Sequence, residues 1–112
     1  MPFPPSVNKM FPTGKNGRRF LSERGKAYRQ EVYALTLEQH GIFKPFTGPL
    51  KATVELVPPD RRKRDIDNFN KALFDSLKHA NVYMDDSQIK QLHLFMREKG
   101  DEPSCTIILE EI

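Results

Sequence analysis

The chain predicts an α+β fold, a single small domain in which a mixed β-sheet carries two α-helices. Three observations predict it. The 112 residues suit one domain spanning 1–112, and a chain this short buries about two-thirds of its unfolded surface, enough for one modest core. Two stretches place apolar residues at helical spacing, while others alternate as half-buried strands do. The strand-like stretches after the second helix follow one another directly, which separates this order from a strictly alternating βαβ chain.

The elements follow in order. Residues 1–19 are rich in Pro and Gly (Pro2, Pro4, Pro5, Pro12, Gly14, Gly17) and read as an extended arm or loop. Arg18 to Leu21 is expected as a short strand. Ser22 is a natural N-cap. From Glu23 to His40, Tyr28, Val32 and Leu35 form one apolar stripe with Ala27 and Ala34 beside it, and Gly41 stops the helix. After a loop with Pro45, Gly48 and Pro49, residues 51–57 alternate: Ala52, Val54 and Leu56 face one way, Thr53 and Glu55 the other. Pro58-Pro59 ends that strand. The second helix is expected over Ile66–Ala80, with Ile66, Phe69, Leu73, Phe74 and Leu77 as its buried face and Asp67 where an N-cap belongs. A short strand at Val82–Met84, a turn at Asp85–Ser87, a strand near Ile89–Arg97 and a last strand over Ser104–Glu110 complete the reading.

Composition narrows the function. Hydrophobic residues make up 38% and charged residues 29%, which fits a soluble globular protein. The net charge is only +3, but it is unevenly spread. Residues 1–30 hold seven cations against one acid, Glu23, and residues 98–112 hold five acids against Lys99. A second basic run is Arg61, Arg62, Lys63 and Arg64. An anionic partner such as nucleic acid fits this pattern; a merely solvated basic face fits it equally. Cys105 is the only cysteine, so no internal disulfide forms, and its setting in CTIIL reads as core. A reducing, cytoplasmic location is expected. No apolar run reaches a membrane span and no secretory leader is visible, so no membrane partner is expected.

The residues with chemistry in them are acids. Asp65 and Asp67 lie directly behind the 61–64 run, in RRKRDIDNFNK, and Asp85-Asp86 follows in YMDDSQI. Hard divalent cations take oxygen ligands, and neighbouring cations hold phosphates. A site for both suggests a nuclease. In an extended segment Asp65 and Asp67 would share a side, where two like charges favour a cation between them. On spacing alone the bland reading stands beside it: Asp67 caps a helix and pairs with Lys71 one turn on, Asp65 is exposed, and the DD pair makes a turn with Ser87. Asp75, one turn after Lys71, reads as a helix-surface ion pair. A calcium loop is excluded, because counting from Asp65 the fifth and sixth places are Phe69 and Asn70. His40, His79 and His93 lack zinc-ligand spacing, and Ser22 and Ser76 sit in no nucleophile motif.

Read together, PPSVN at Pro4–Asn8, RFLSERGKAYR at Arg19–Arg29, PDRRKRDIDNFNKALFDSL at Pro59–Leu77 and YMDDSQI at Tyr83–Ile89 resemble the RusA family of Holliday junction resolvases. The matching stretches cover most of the chain in order. The resemblance implies a Mg²⁺-dependent endonuclease, with Mn²⁺ as a substitute, that cuts four-way DNA junctions as a homodimer; no other protein partner is evident. It implies Asp65, Asp67 and Asp86 as catalytic, metal-binding acids, Lys71 as the functional lysine, and Arg64 as a DNA-contacting position. The neighbouring Arg61, Arg62 and Lys63, with Lys71, would hold backbone phosphates, which position DNA without reading its sequence. Relatives from phages and prophages make such an origin an expectation. One departure shows: relatives carry a strand before the PPS segment, and here it is very short or missing. Two rivals are a branched-DNA-binding protein without cleavage activity and a small nucleotide phosphohydrolase, though the latter leaves the basic N-terminal third unexplained.

Overall fold

The structure, a computed structural model, describes residues 1–42 and 44–112. Its elements are a short helix α1 (Val7–Met10), α2 (Glu23–His40), strand β1 (Leu50–Val57), α3 (Asn70–His79), β2 (Ile89–Met96) and β3 (Ser104–Glu111), with single 3₁₀ turns at Ile66–Asn68 and Asp86–Gln88. The three strands form one sheet in the order β2-β1-β3. β1 runs parallel to β2 and antiparallel to β3. The sheet is therefore mixed and the fold α+β, as the sequence predicts. Among the described residues no helix is long and apolar enough to cross a membrane.

The alternation in β1 decides which face is buried. Ala52, Val54 and Leu56 are essentially inaccessible and lie beside Leu92, Leu94 and Met96 of β2 and Leu109, Ile107 and Cys105 of β3. Against this face pack Tyr28 and Val32 of α2 and Leu73, Phe74 and Leu77 of α3, together with Phe69. The two helices are clamped to each other by Arg29 and Asp75: Nε donates to Oδ2 at 2.8 Å and Nη2 to Oδ1 at 3.1 Å. This bidentate pair, each side chain about three-quarters buried or more, is the strong form of an ion pair. It takes Asp75 away from Lys71, so the expected helix-surface pairing is replaced by one between helices.

α2 has the predicted bounds. The Ser22 hydroxyl accepts from the Gly25 N–H at 3.0 Å, and Gly41 leaves the helix at a φ of 67°, where a Cβ is disfavoured. Its apolar stripe is narrower than expected: Tyr28 and Val32 are buried and Leu35 is half-buried, while Ala27 and Ala34 face solvent. Gly25 sits where α1 crosses; a Cβ there would lie 2.9 Å from Met10 Cγ and 2.7 Å from Leu21 Cδ1.

Three expectations are corrected. Arg18–Leu21 and Val82–Met84 are not strands; each region contributes one isolated bridge, Thr13 with Arg19 and Phe46 with Tyr83. The N-terminal segment is not only an extended arm or loop, since it carries the helix α1. Ser6 caps α1, Pro4 and Pro5 are buried, the Phe3 ring lies 5.0 Å from the Phe69 ring, and the Tyr28 hydroxyl donates to the Pro2 carbonyl at 3.2 Å. The second helix does not begin at Ile66. A 3₁₀ turn comes first, the chain bends at Phe69 (φ −115°, ψ −16°), and α3 starts at Asn70. Ile66, expected in the core, is 36% exposed. Met1 pairs with Cys105 of β3: its nitrogen donates to the Cys105 carbonyl at 2.9 Å, and the Cys105 N–H donates to the Met1 carbonyl at 2.7 Å.

Candidate active site

The segment 58–69 leaves β1 at Pro58 and returns to α3, and its geometry is set by Asp60. The Asp60 carboxylate accepts the Arg62 N–H at 2.9 Å and pairs with the Arg64 guanidinium at 2.9 Å and that of Arg62 at 3.3 Å. The Arg62 N–H above all, with both guanidinium groups, holds the Asp60 carboxyl below its ordinary range. Arg64 also donates to the carbonyls of Asp60 and Arg62 at 3.3 Å and lies 5.7 Å over the Phe3 ring. Its side chain is only 12% exposed. Arg64 thus spends most of its bonds on shaping the segment, whereas Arg61, Arg62 and Lys63 are exposed.

Asp65 and Asp67 flank Ile66 on the 3₁₀ turn. Asp65 occupies the cap position of that turn but makes no cap hydrogen bond. Asp67 lies inside the turn, so the bland reading of it as a helix N-cap does not hold. Nor do the two lie on an extended segment, so the shared side inferred from a period of two does not apply. Both are exposed, and neither side chain has a hydrogen bond or ion pair among the described residues. Lys71, one residue into α3, is exposed and likewise unpaired. Two carboxylates and an ammonium without protein partners at the surface leave their hydrogen-bonding oxygens and N–H groups available to a ligand.

The DD pair divides its labour. Asp85 caps the second 3₁₀ turn: its carboxylate accepts the Ser87 N–H at 3.1 Å and the Ser87 hydroxyl, and pairs with Lys78 at 3.3 Å. These bonds, that from the Ser87 hydroxyl foremost, take the Asp85 carboxyl down to about 2. Because its folded value is depressed, the cap's contribution is present above the ordinary carboxylate range and is lost as pH falls toward about 2. Gln88 completes a capping box and also donates to the Phe46 and Gly48 carbonyls at 2.8 and 3.0 Å. Asp86 turns the other way. Its Oδ1 accepts from the Tyr83 hydroxyl at 2.8 Å, and the same hydroxyl lies 2.6 Å from the Phe74 carbonyl in α3. One proton sits between two acceptors. Burial first, and the Asp86 carboxylate next, push the Tyr83 hydroxyl far above its ordinary range, so it remains a donor. Tyr83 escaped the sequence reading; a tyrosine three residues before a candidate acid, at the end of an apolar run, was the available signal.

The structure packs the Asp65/Asp67 turn against α3 and β2, and the Asp86 turn against α3. It does not draw them into a finished metal cage: among the described residues no three His, Cys, Asp or Glu side chains are grouped closely enough to hold an ion. The donor chemistry nevertheless fits a hard divalent cation, since Asp65 and Asp67 offer uncommitted oxygens and Asp86 keeps lone pairs beyond the Tyr83 bond.

A compact α+β domain with unpartnered carboxylates beside unpartnered cations offers oxygens to a metal ion and positive charge to an anion, a combination that suits a phosphodiester. Comparison with known proteins makes this specific. The family model for endodeoxyribonuclease RusA matches residues 2–110. The chain is 38% identical over 89 residues to the crossover junction endodeoxyribonuclease RusA of Escherichia coli K12, covering 80% of this chain and 72% of that one. It is as similar to the protein of that name from Enterobacteria phage 82. The protein of that name from Escherichia coli O139:H28 is 33% identical over 115 residues, 91% of this chain and 94% of the other. The chain belongs to the RusA family of endodeoxyribonucleases.

Proposed function

We propose that this chain resolves four-way DNA junctions by paired nicks, with Asp65, Asp67 and Asp86 holding Mg²⁺, or Mn²⁺ in its place. The observation that carries the reading is the surface turn on which Asp65 and Asp67 stand without a protein partner, directly behind Arg61–Arg64, in a chain whose relatives are named crossover junction endodeoxyribonucleases. When bound, the ion supplies Lewis-acid stabilisation and a more acidic water. The chain's own residues do the rest. Tyr83 fixes the direction of the Asp86 carboxylate, as a hydrogen-bonded support orients a ligand. Lys71 meets negative charge growing on the phosphate. Arg61, Arg62 and Lys63 hold backbone phosphates, and Arg64 keeps their segment in shape. Nicking of a synthetic four-way junction, assayed with and without Mg²⁺ beside a linear duplex, tests the proposal. Tight junction binding with no nicks would favour the non-cleaving branched-DNA binder. The phage 82 relative supports a phage or prophage origin.

Two substitutions separate these roles. Lys71→Ala should reduce turnover by about 10²-fold and leave thermal stability within about 0.5 kcal/mol, as exposed sites do. Normal turnover at saturating Mg²⁺ would remove Lys71 from the chemistry. Tyr83→Phe should raise the Mg²⁺ concentration needed for half-maximal cleavage by roughly 10–100-fold while junction affinity measured without metal stays unchanged. An unaltered Mg²⁺ dependence in a folded Tyr83→Phe protein would leave the hydroxyl a purely structural bond.

The working form is proposed to be a homodimer. Two nicks in strands related by the junction's two-fold symmetry need two sites, and one chain carries a single Asp65/Asp67/Asp86 set; closed two-fold dimers are the commonest solution. Sedimentation at micromolar concentration should report about twice the 13.0 kDa chain mass. A monomer that still made paired nicks on junction DNA would overturn it.

A further inference from the structure

We infer that the cleft between α1, the start of α2 and the segment 59–64 is a seat for one DNA backbone phosphate, with Lys9 and Arg24 as its ligands alongside Arg62 and Lys63. The inference rests on the reading of the chain as a DNA-cutting protein and adds two residues from distant parts of the sequence. The cleft has a volume of about 250 Å³. Among the described residues five cations line it, Lys9, Arg24, Arg62, Lys63 and Arg64, and no acid does. They come from three separate segments, so their meeting is a product of the fold and not of local sequence.

Their electrostatic state points to an anion. Lys9, Arg24 and Lys63 are exposed and have no ion pair or side-chain hydrogen bond among the described residues. Among the described residues the Arg62 side chain has only the Asp60 contact, at 3.3 Å and with 76% of that side chain exposed. Gathering like charges around one concavity costs free energy unless an anion enters. The arrangement is also held in place. Lys9 belongs to α1, which Met10 anchors in the interior against Gly25, one residue from Arg24. The Ser22 hydroxyl donates to the Lys9 carbonyl at 2.6 Å. Across the cleft, Arg64 is fixed by Asp60 and Phe3, and Phe69 closes the wall. Residues 62–64 and Phe69 bracket Asp65 and Asp67 in the chain. A phosphate in the seat therefore lies on the same segment as the candidate acids, where it would set the register of the strand to be cut.

The test is junction binding as a function of salt, without divalent metal, for Lys9→Gln, Arg24→Gln and the double variant. Lys44→Gln/Lys99→Gln serves as a control that removes the same charge elsewhere. Each single variant should weaken binding roughly tenfold, the scale of one charge-assisted hydrogen bond. Because both side chains serve one phosphate, the double variant should lower the slope of log K against log salt by about one and not two, and the two losses should be coupled. The control should keep the wild-type slope within error. A wild-type slope in the Lys9/Arg24 double variant, or a loss equal to that of the control, would overturn the seat while leaving the cleavage reading intact. Fully additive losses with a slope change of about two would mean separate contacts and overturn the single seat. Wild-type protein that neither binds nor nicks the junction would fail the functional reading itself, and the seat with it.

Discussion

Asp65→Asn, Asp67→Asn and Asp86→Asn are each expected to lower the rate of junction nicking by at least 10²–10³-fold, on the order of the loss when one strong stabilising group is removed from a site, while junction binding persists. The amide keeps the volume and a carbonyl oxygen but surrenders the negative charge on which a hard cation depends. None of the changes removes a cation, so attraction to the DNA backbone should hold or rise slightly. The structure sharpens the comparison within the DD pair. Asp85 works as a cap for its own turn and a partner for Lys78, so Asp85→Asn should cut nearly as wild type with a small loss of stability. Gel-based nicking with binding measured in parallel decides it. A dead Asp85→Asn beside an active Asp86→Asn would reverse the assignment.

Leu73→Ala should be the most damaging change away from the acids. Leu73 is fully buried at the centre of α3, the helix on which both acid-bearing turns rest. Truncation there should cost about 2–5 kcal/mol, a large share of the roughly 5–15 kcal/mol that holds a domain together. The midpoint of thermal unfolding should fall by roughly 10–25 °C. Leu37→Ala, at a position 39% exposed on α2, should cost far less. Equal midpoints for Leu73→Ala and wild type would mean that α3 does not carry the core as described.

What the sequence made legible was what local chemistry decides. α2 is bounded by its own Ser22 and Gly41, and β1 announces its buried face by alternation. The strand pairing partners could not be read in the same way, because β2 and β3 come later and meet β1 on opposite edges. The start of α3 was misread for a physical reason. Asp67 looks like an N-cap, but Phe69 is buried against Phe3 and takes the cap position itself, so α3 starts at Asn70. Asp75 illustrates the same limit: Lys71 is its neighbour in sequence, but Arg29 reaches it with two bonds across a helix interface. For the acids, the sequence offered candidates with a bland alternative beside each. The fold removed one part of the alternative by showing Asp67 outside any cap, and bore out another by placing Asp85 in a turn with Ser87. The role of Arg64 as a support for its segment depended on Asp60 and Phe3, and no spacing rule joins those.

The bridge between Met1 and Cys105 bears on the order of events during synthesis. Its two partners are 104 residues apart, and the middle strand of the sheet must wait for β3 before its second edge is covered. On a ribosome the arm that carries Phe3 and Lys9 therefore emerges well before its edge partner. Closing so long a loop is costly before the contacts that reward it exist. The nascent chain would thus lack the Met1–Cys105 bridge until β3 has left the exit tunnel, and until then the arm is held by its contacts with Tyr28 and Phe69.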